Sequence, residues 1–144
     1  MIFMLKIRII AIGRLKSKPI GELAGDYASR LTHYFPLERI DVKDEAAALK
    51  MIEDVDRLVV CDERGQQRTS VELANWLATY ERRRTKRLVF FIGGPEGVGP
   101  GVKKRADSLL ALSKMTFPHE MSQAILLEQL YRAATILKGE AYHK

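Results

Sequence analysis

Leu5, Ile7 and Ile9 alternate with Lys6 and Arg8, a period of two that predicts a strand ending at Gly13. Ser17 and Pro19 then signal a helix start, since a serine hydroxyl accepts from a free first-turn amide and proline's fixed φ suits that turn. Behind them Ile20, Leu23, Ala24, Tyr27, Leu31 and Tyr34 recur at three- and four-residue steps until Pro36 stops the helix. Leu37 to Val42 reads as a short strand, Asp44 to Val55 as an Ala-rich helix, and the continuous apolar run Arg57 to Asp62 as a buried strand. Thr69-Ser70-Val71-Glu72 fits a capping box, and Leu73, Trp76, Leu77 and Tyr80 mark one face of the helix that follows. Arg87 to Ile92 is a second buried strand, running directly into Gly93-Gly94-Pro95-Glu96-Gly97-Val98-Gly99-Pro100. A helix from Gly101 to Leu110, an extended stretch Ala111 to Phe117 and a helix from His119 to Leu137, ended by Gly139, complete the pattern.

Four or five strands alternating with five helices, two of the strands apolar throughout, describe an α/β fold with a mainly parallel sheet and helices on both faces. Residues 1–144 read as a single domain, with no internal repeat and no interior linker. In the last helix the apolar positions, Met121, Ala124 to Leu127, Leu130, Tyr131, Ala133, Ala134, Ile136 and Leu137, go most of the way round. A partner subunit is the natural cover for such a helix, which predicts a homodimer.

Composition narrows the function. With 47% hydrophobic residues and a net charge of +6, the chain is neither a disordered polybasic tail nor a low-complexity linker. One cysteine, Cys61, closes no internal disulfide and builds no cysteine-based zinc site, so no metal is expected. The apolar start, Met1 to Ile12, is interrupted by Lys6 and Arg8 and is too short to span a bilayer, so the expectation is a cytoplasmic protein with no membrane partner. The charge is uneven: residues 1–40 hold 7 basic and 3 acidic side chains, residues 41–80 hold 5 and 9, and residues 81–144 hold 12 and 6. Any one basic run is compatible with an ordinary solvated surface. Three of them (Arg14, Lys16, Lys18; Arg82 to Arg84 with Lys86 and Arg87; Lys103 to Arg105) favour a polyanionic partner.

The glycine segment fails both common phosphate motifs. Gly94 and Gly99 have the P-loop separation, but Pro100 stands where the lysine belongs. Pro95 and Val102 occupy required glycine positions of the dinucleotide fingerprint. What remains is a loop at the carboxyl end of a buried strand, where glycines allow close backbone approach.

Four segments in order, FIGGPEGVG at Phe91–Gly99, LSKMTFPH at Leu112–His119, LLEQLYRA at Leu126–Ala133 and GEAYHK at Gly139–Lys144, resemble the ribosomal RNA large subunit methyltransferase H family, a branch of the SPOUT methyltransferases. The resemblance extends more weakly through Ile10 to Tyr34 and Val60 to Gly65. It implies a trefoil-knotted α/β fold with the knot near the C-terminus, a homodimer, and transfer of a methyl group from S-adenosylmethionine to N3 of a pseudouridine in 23S, large-subunit, ribosomal RNA. So small a chain has little surface for reading sequence unaided, so between free RNA and the assembled ribosome the latter is the expected substrate. By the family's pattern the cofactor site maps to Cys61, Gly93, Gly94 and the run Leu112, Ser113, Lys114, Met115, Thr116 and Phe117. The chain departs from that pattern at Gln123, where several members carry arginine, and in a shorter segment before residue 57.

Methyl transfer to nitrogen needs the acceptor aligned and its proton removed. His33 reads as a surface residue, and His119 either orients the pocket or caps and packs the last helix. The family's pattern places the terminal tail at the dimer-related active site, so Tyr142 and His143 are the expected catalytic pair: Tyr142 positions the base and His143 accepts or relays the N3 proton. Arg14, Lys18, His119 and Lys144 are the expected RNA contacts. The competing reading is a non-catalytic basic RNA- or ribosome-binding assembly factor on the same scaffold, which explains the charge but not the joint presence of the glycine loop and LSKMTFPH.

Overall fold

The computed structural model describes residues 3–144, so the first two residues of the apolar N-terminal run lie outside it. Strands β1 (Lys6–Ile12), β2 (Leu37–Val42), β3 (Arg57–Gln67), β4 (Arg87–Ile92) and β5 (Ser108–Ala111) form one sheet in the order β2-β1-β4-β3-β5, with every pairing parallel. Helices α1 (Lys18–Leu31), α2 (Glu45–Lys50), α3 (Ser70–Arg82), α4 (Pro100–Arg105) and α5 (His119–Leu137) make the crossovers. Alternation along the strands divides the core. Ile7, Ile9 and Phe90 pack with Leu77, Leu126, Leu127 and Leu130 on one face. Ile10, Val60 and Phe91 pack with Ala48 and Val102 on the other. The α/β sheet with helices on both faces is therefore what the pattern predicted, α1, α3 and α5 covering one side and α2 and α4 the other.

Several local signals act as read. The Ser17 hydroxyl accepts from the Ile20 amide, and Thr69 and Glu72 form a reciprocal capping box. Elsewhere tertiary contacts move the boundaries. α2 stops at Lys50 and does not run on to Val55, because Asp56 is fully buried, accepts from the Glu53 amide at 2.8 Å and pulls the following turn toward Arg87. α4 stops at Arg105 and Ser108 to Ala111 is a strand, where the periodicity favoured helix up to Leu110. The Asp107 amide donates to the Leu58 carbonyl and its carboxylate accepts from the Leu58 amide, docking the segment on β3 before it can coil.

β3 continues five residues past Asp62 through a shift in register, pairing with β5 on both sides of it. Gly65 makes this possible, since a Cβ there would stand 2.6 Å from the Leu109 carbonyl carbon. α5 is covered largely within the chain: Gln123, Ala124, Leu126, Leu127, Leu130, Ala133 and Ala134 are buried as it packs on α1 and α3. Its all-round apolar character thus has an intrachain cause and does not by itself require a partner subunit.

Candidate active site

Because the strands are parallel, β1, β3, β4 and β5 all deliver their carboxyl ends to one edge of the sheet. Ile92 leads there into the glycine segment, which folds as a tight turn: the Gly97 amide donates to the Gly94 carbonyl at 3.0 Å and Gly97 has φ +82°. A Cβ on Gly93 would stand 2.9 Å from the Gly97 carbonyl oxygen, so this turn requires glycine at both ends. The Gly99 amide donates to the Glu45 carboxylate at 2.6 Å and ties the loop to α2.

Between this loop, the end of β3 and the segment after β5 lies a cleft of about 650 Å³, a size suited to a nucleoside-like ligand. Cys61, Gly93, Gly94, Leu112, Ser113, Met115, Thr116 and Phe117, all expected from the sequence, line it together with His119. Lys114 is exposed and does not line it. Met115, 74% exposed, stands free at the mouth.

Carboxylates that the residue-by-residue reading passed over also line the cleft: Asp62, Glu63 and Glu96. Asp62 and Glu63 stand directly behind the apolar run RLVVC, and acids at the carboxyl end of a buried strand were the signal available. Burial pushes the Asp62 carboxyl up, but donation from the Arg64 amide and side chain and from Lys103 outweighs it and holds the group below the usual carboxylate range. Glu63 accepts from the Thr116 hydroxyl, closing the end of β3 onto the segment after β5. Burial pushes the Cys61 thiol up to about 12, so it is a neutral wall atom and not a nucleophile. Apolar walls, close backbone and fixed carboxylates suit a ligand with a flat ring, hydroxyl groups and a positive charge.

Of the four expected RNA contacts, His119 lines the cleft, and Arg14 and Lys18 flank a loop that is tied to the start of the same helix. Glu120 accepts from the Lys16 and Ser17 amides at 2.8 and 2.9 Å, binding the β1–α1 loop to the start of α5. The Ser17 amide, opposed by burial and helped by the Lys16 amide, holds the Glu120 carboxyl below its ordinary value. Gln123, one turn further along α5, is a buried neutral group. His33 is exposed after α1, as read.

Tyr142, His143 and Lys144 lie elsewhere. At the end of α5 Gly139 adopts φ +69°, its amide donates to Ile136 and the Glu140 amide to Thr135, a Schellman reversal that sends the tail back along its own helix. Tyr34 donates to Glu140 at 2.6 Å, and Tyr142 donates to Glu128 at 2.8 Å with its ring 4.7 Å from that of Tyr131. Glu128 also pairs with Arg132 at 2.8 Å, and Arg132 meets His143 Nδ1 at 3.0 Å. Burial, then the Tyr27 hydroxyl and the Glu128 carboxylate, push the Tyr142 phenol up, so it stays protonated. Glu128 and Arg132 were quoted within LLEQLYRA without a role; their i, i+4 spacing was the signal for a pair on one helix face. At 1.5 Å per residue, the nine to thirteen positions from His119 to Glu128 and Arg132 put the tail about 14–20 Å along the helix from the cleft of its own chain.

The charge runs divide as well. Arg87 forms a bidentate pair with buried Asp56 at 2.6 and 3.1 Å, Arg105 binds Asp107 and the carbonyls of Glu53 and Asp56, and Lys103 pairs with Asp62. These cations are committed within the fold, which reduces the basic surface that the sequence count suggested.

Comparison with known proteins bears on this geometry. Residues 5–143 match the family model described as "Predicted SPOUT methyltransferase". The chain is 40% identical over 152 residues to "Ribosomal RNA large subunit methyltransferase H" of Gloeobacter violaceus, covering 96% of this chain and 99% of the relative. It is 43% identical over 145 residues to the protein of that name from a Synechococcus strain, covering 96% and 95%. Among solved structures, a probable methylase family protein from Haemophilus influenzae has a TM-score of 0.63 at 13% identity, covering 96% of this chain and 70% of that one. The SpoU methyltransferase AviRb from Streptomyces viridochromogenes, in complex with AdoMet, has a TM-score of 0.55 at 13% identity, covering 94% and 59%. These two likenesses speak for the fold.

Proposed function

The chain belongs to the SPOUT methyltransferase family, and from that premise we propose that it transfers a methyl group from S-adenosylmethionine to N3 of a pseudouridine in 23S ribosomal RNA, on the assembled large subunit or ribosome, as a knotted homodimer in the cytoplasm. The observation that carries the reading is the convergence of Cys61, Gly93, Gly94, Leu112, Ser113, Met115, Thr116 and Phe117 on one cleft at the carboxyl edge of the sheet. The residues present fit the cofactor: Leu112 and Phe117 offer apolar walls for adenine, the glycines admit it to the backbone, and Asp62, Glu63 and Glu96 suit ribose hydroxyls and a cation. When bound, S-adenosylmethionine supplies an activated methyl on a sulfonium.

The remaining residues act on the RNA. In this reading His119, in the cleft wall, meets the base, Arg14 and Lys18 on the neighbouring loop and helix start meet phosphate, and Lys144 is carried by the tail. Since each tail is bound to its own α5 away from its own cleft, the composite site needs a second copy, whose Tyr142 and His143 enter from across the interface. This is a better ground for the dimer than the apolar helix was. In such a site one subunit binds the cofactor and the other orients the acceptor base, so positioning dominates the rate.

Mass mapping of large-subunit RNA after incubation with the protein and S-adenosylmethionine tests the target: one new methyl on a pseudouridine is expected, and a methyl on any other nucleoside refutes the assignment. Deleting residues 141–144 is expected to abolish methylation and leave cofactor binding intact by calorimetry. Turnover by the truncated dimer would remove the tail from the mechanism. The reading as a non-catalytic assembly factor has no observation in its favour that the cleft does not explain better.

A further inference from the structure

The contact between Arg132 and His143 restricts what the histidine can do. A guanidinium carries only N–H donors and stays charged at any working pH, so at 3.0 Å from Nδ1 it can only donate. Nδ1 is then the ring's acceptor, and a neutral imidazole with an accepting Nδ1 carries its single hydrogen on Nε2. Arg132 is held in place to enforce this. Glu128 binds it through both Nε, at 3.1 Å, and Nη2, at 2.8 Å, and the guanidinium lies 4.8 Å from the centre of the Tyr142 ring. Arg132 is the charged group in contact with the histidine; behind it the Tyr142 phenol is occupied by Glu128 and lies 3.3 Å from the Tyr27 hydroxyl of α1.

Resting on the functional reading above, we propose that His143 serves the reaction as a hydrogen-bond donor through Nε2 and not as the acceptor of the N3 proton, with Arg132 as the positioning residue that fixes its tautomer. The chemistry calls for such a donor. As N3 of the base loses its proton to water, negative charge spreads onto the two carbonyl oxygens that flank it. N3 then forms its bond to the methyl carbon, the methyl–sulfur bond breaks, and its electron pair leaves the sulfur as a neutral thioether. His143 gains and loses no proton in this sequence. Its Nε2–H stabilises a flanking oxygen as the charge develops, as donors to developing oxyanions do in other sites.

Nitrogen-15 NMR of the cofactor-free protein, with His143 assigned against His33 and His119, tests the tautomer under mildly alkaline conditions and needs no turnover. The expected result is hydrogen on Nε2, shifting toward a mixture in Arg132→Gln and restored in Arg132→Lys. Hydrogen on Nδ1 in the unsubstituted protein overturns the proposal. The second arm separates donor from base in the assembled enzyme. His143→Ala is expected to lose on the order of 10²-fold in single-turnover methyl transfer, the size of a lost oxyanion donor. His143→Gln keeps an N–H but accepts no proton at working pH, and is expected to recover at least about ten-fold of that loss. Equal loss in the two variants overturns the donor role. A functional reading that fails leaves the NMR arm unaffected, so the two failures are told apart.

Discussion

The two edges of the sheet are built for opposite purposes although the same strands make both. At the amino edge the chain commits charge to charge. Asp56 is fully buried and gripped by Arg87 through two hydrogen bonds, Arg105 caps the carbonyls of Glu53 and Asp56, and Asp107 locks β5 to β3. At the carboxyl edge the strands give way to glycines and a cleft whose wall carries the carboxylates of Asp62, Glu63 and Glu96. In parallel α/β sheets ligands collect at the carboxyl ends, where loops vary without disturbing the ladder. The difference teaches that a count of basic residues is not a count of binding residues: Arg87 and Arg105, beside Asp56, hold the fold, and only cations outside such pairs are available to the proposed RNA.

The comparison can be attacked from both edges. The largest effect is expected from Asp56→Ala, which leaves the mostly buried Arg87 guanidinium with only its longer contacts, 3.4 Å to Glu53 and 3.5 Å to the Met51 carbonyl. A loss of about 3–5 kcal/mol in denaturant unfolding should follow, with cofactor affinity per folded molecule unchanged. Gly93→Ala should do the reverse. Its Cβ would meet the Gly97 carbonyl at 2.9 Å, so the loop must open. Affinity for S-adenosylmethionine by calorimetry should fall by at least about ten-fold, or 1.4 kcal/mol, while the unfolding midpoint moves little.

A smaller effect is expected from acid. Since the folded-state pKa of Asp62 is lowered, its contribution to stability is present above the unfolded value, about 3.9, and is lost as pH falls through the folded value. The unsubstituted protein should therefore be more stable than Asp62→Asn at neutral pH, and the difference should vanish on acidification. The smallest effect belongs to the exposed arginines of the amino edge. Arg82→Ser and Arg83→Ser should change stability by less than about 0.5 kcal/mol and leave methyl transfer intact; a large loss of transfer would mean that RNA reaches this edge too.

The sequence was most legible where one local rule decided the outcome. Thr69 and Glu72 form the capping box they spell, Ser17 caps α1, α5 spans His119–Leu137 as read, and RLVFFI is a strand buried on both faces. It was least legible where a distant partner overrode a local preference. The pattern favoured helix over residues 101–110, but the two hydrogen bonds between Asp107 and Leu58 make a strand of the last three, continued by Ala111. The end of β3 depends on Gly65 fitting against Leu109, a contact across 44 residues that no period contains.

The cleft followed the same division. Its glycines and its LSKMTF segment were recognisable as motifs. The carboxylates of Asp62, Glu63 and Glu96 become wall residues only once three separate strand ends meet. The tail was readable as polar and aromatic, but its attachment to Glu128 and Arg132 required the reversal at Gly139.

The central claim is that the carboxyl-edge cleft is the methyl donor's site. Calorimetric titration of the folded protein with S-adenosylmethionine tests it most directly, run on the unsubstituted chain, on Gly93→Ala and on Arg83→Ser. Saturable binding that survives Arg83→Ser and fails in Gly93→Ala is the predicted result. Absence of binding to the folded unsubstituted protein, or binding that Gly93→Ala leaves untouched, would contradict it.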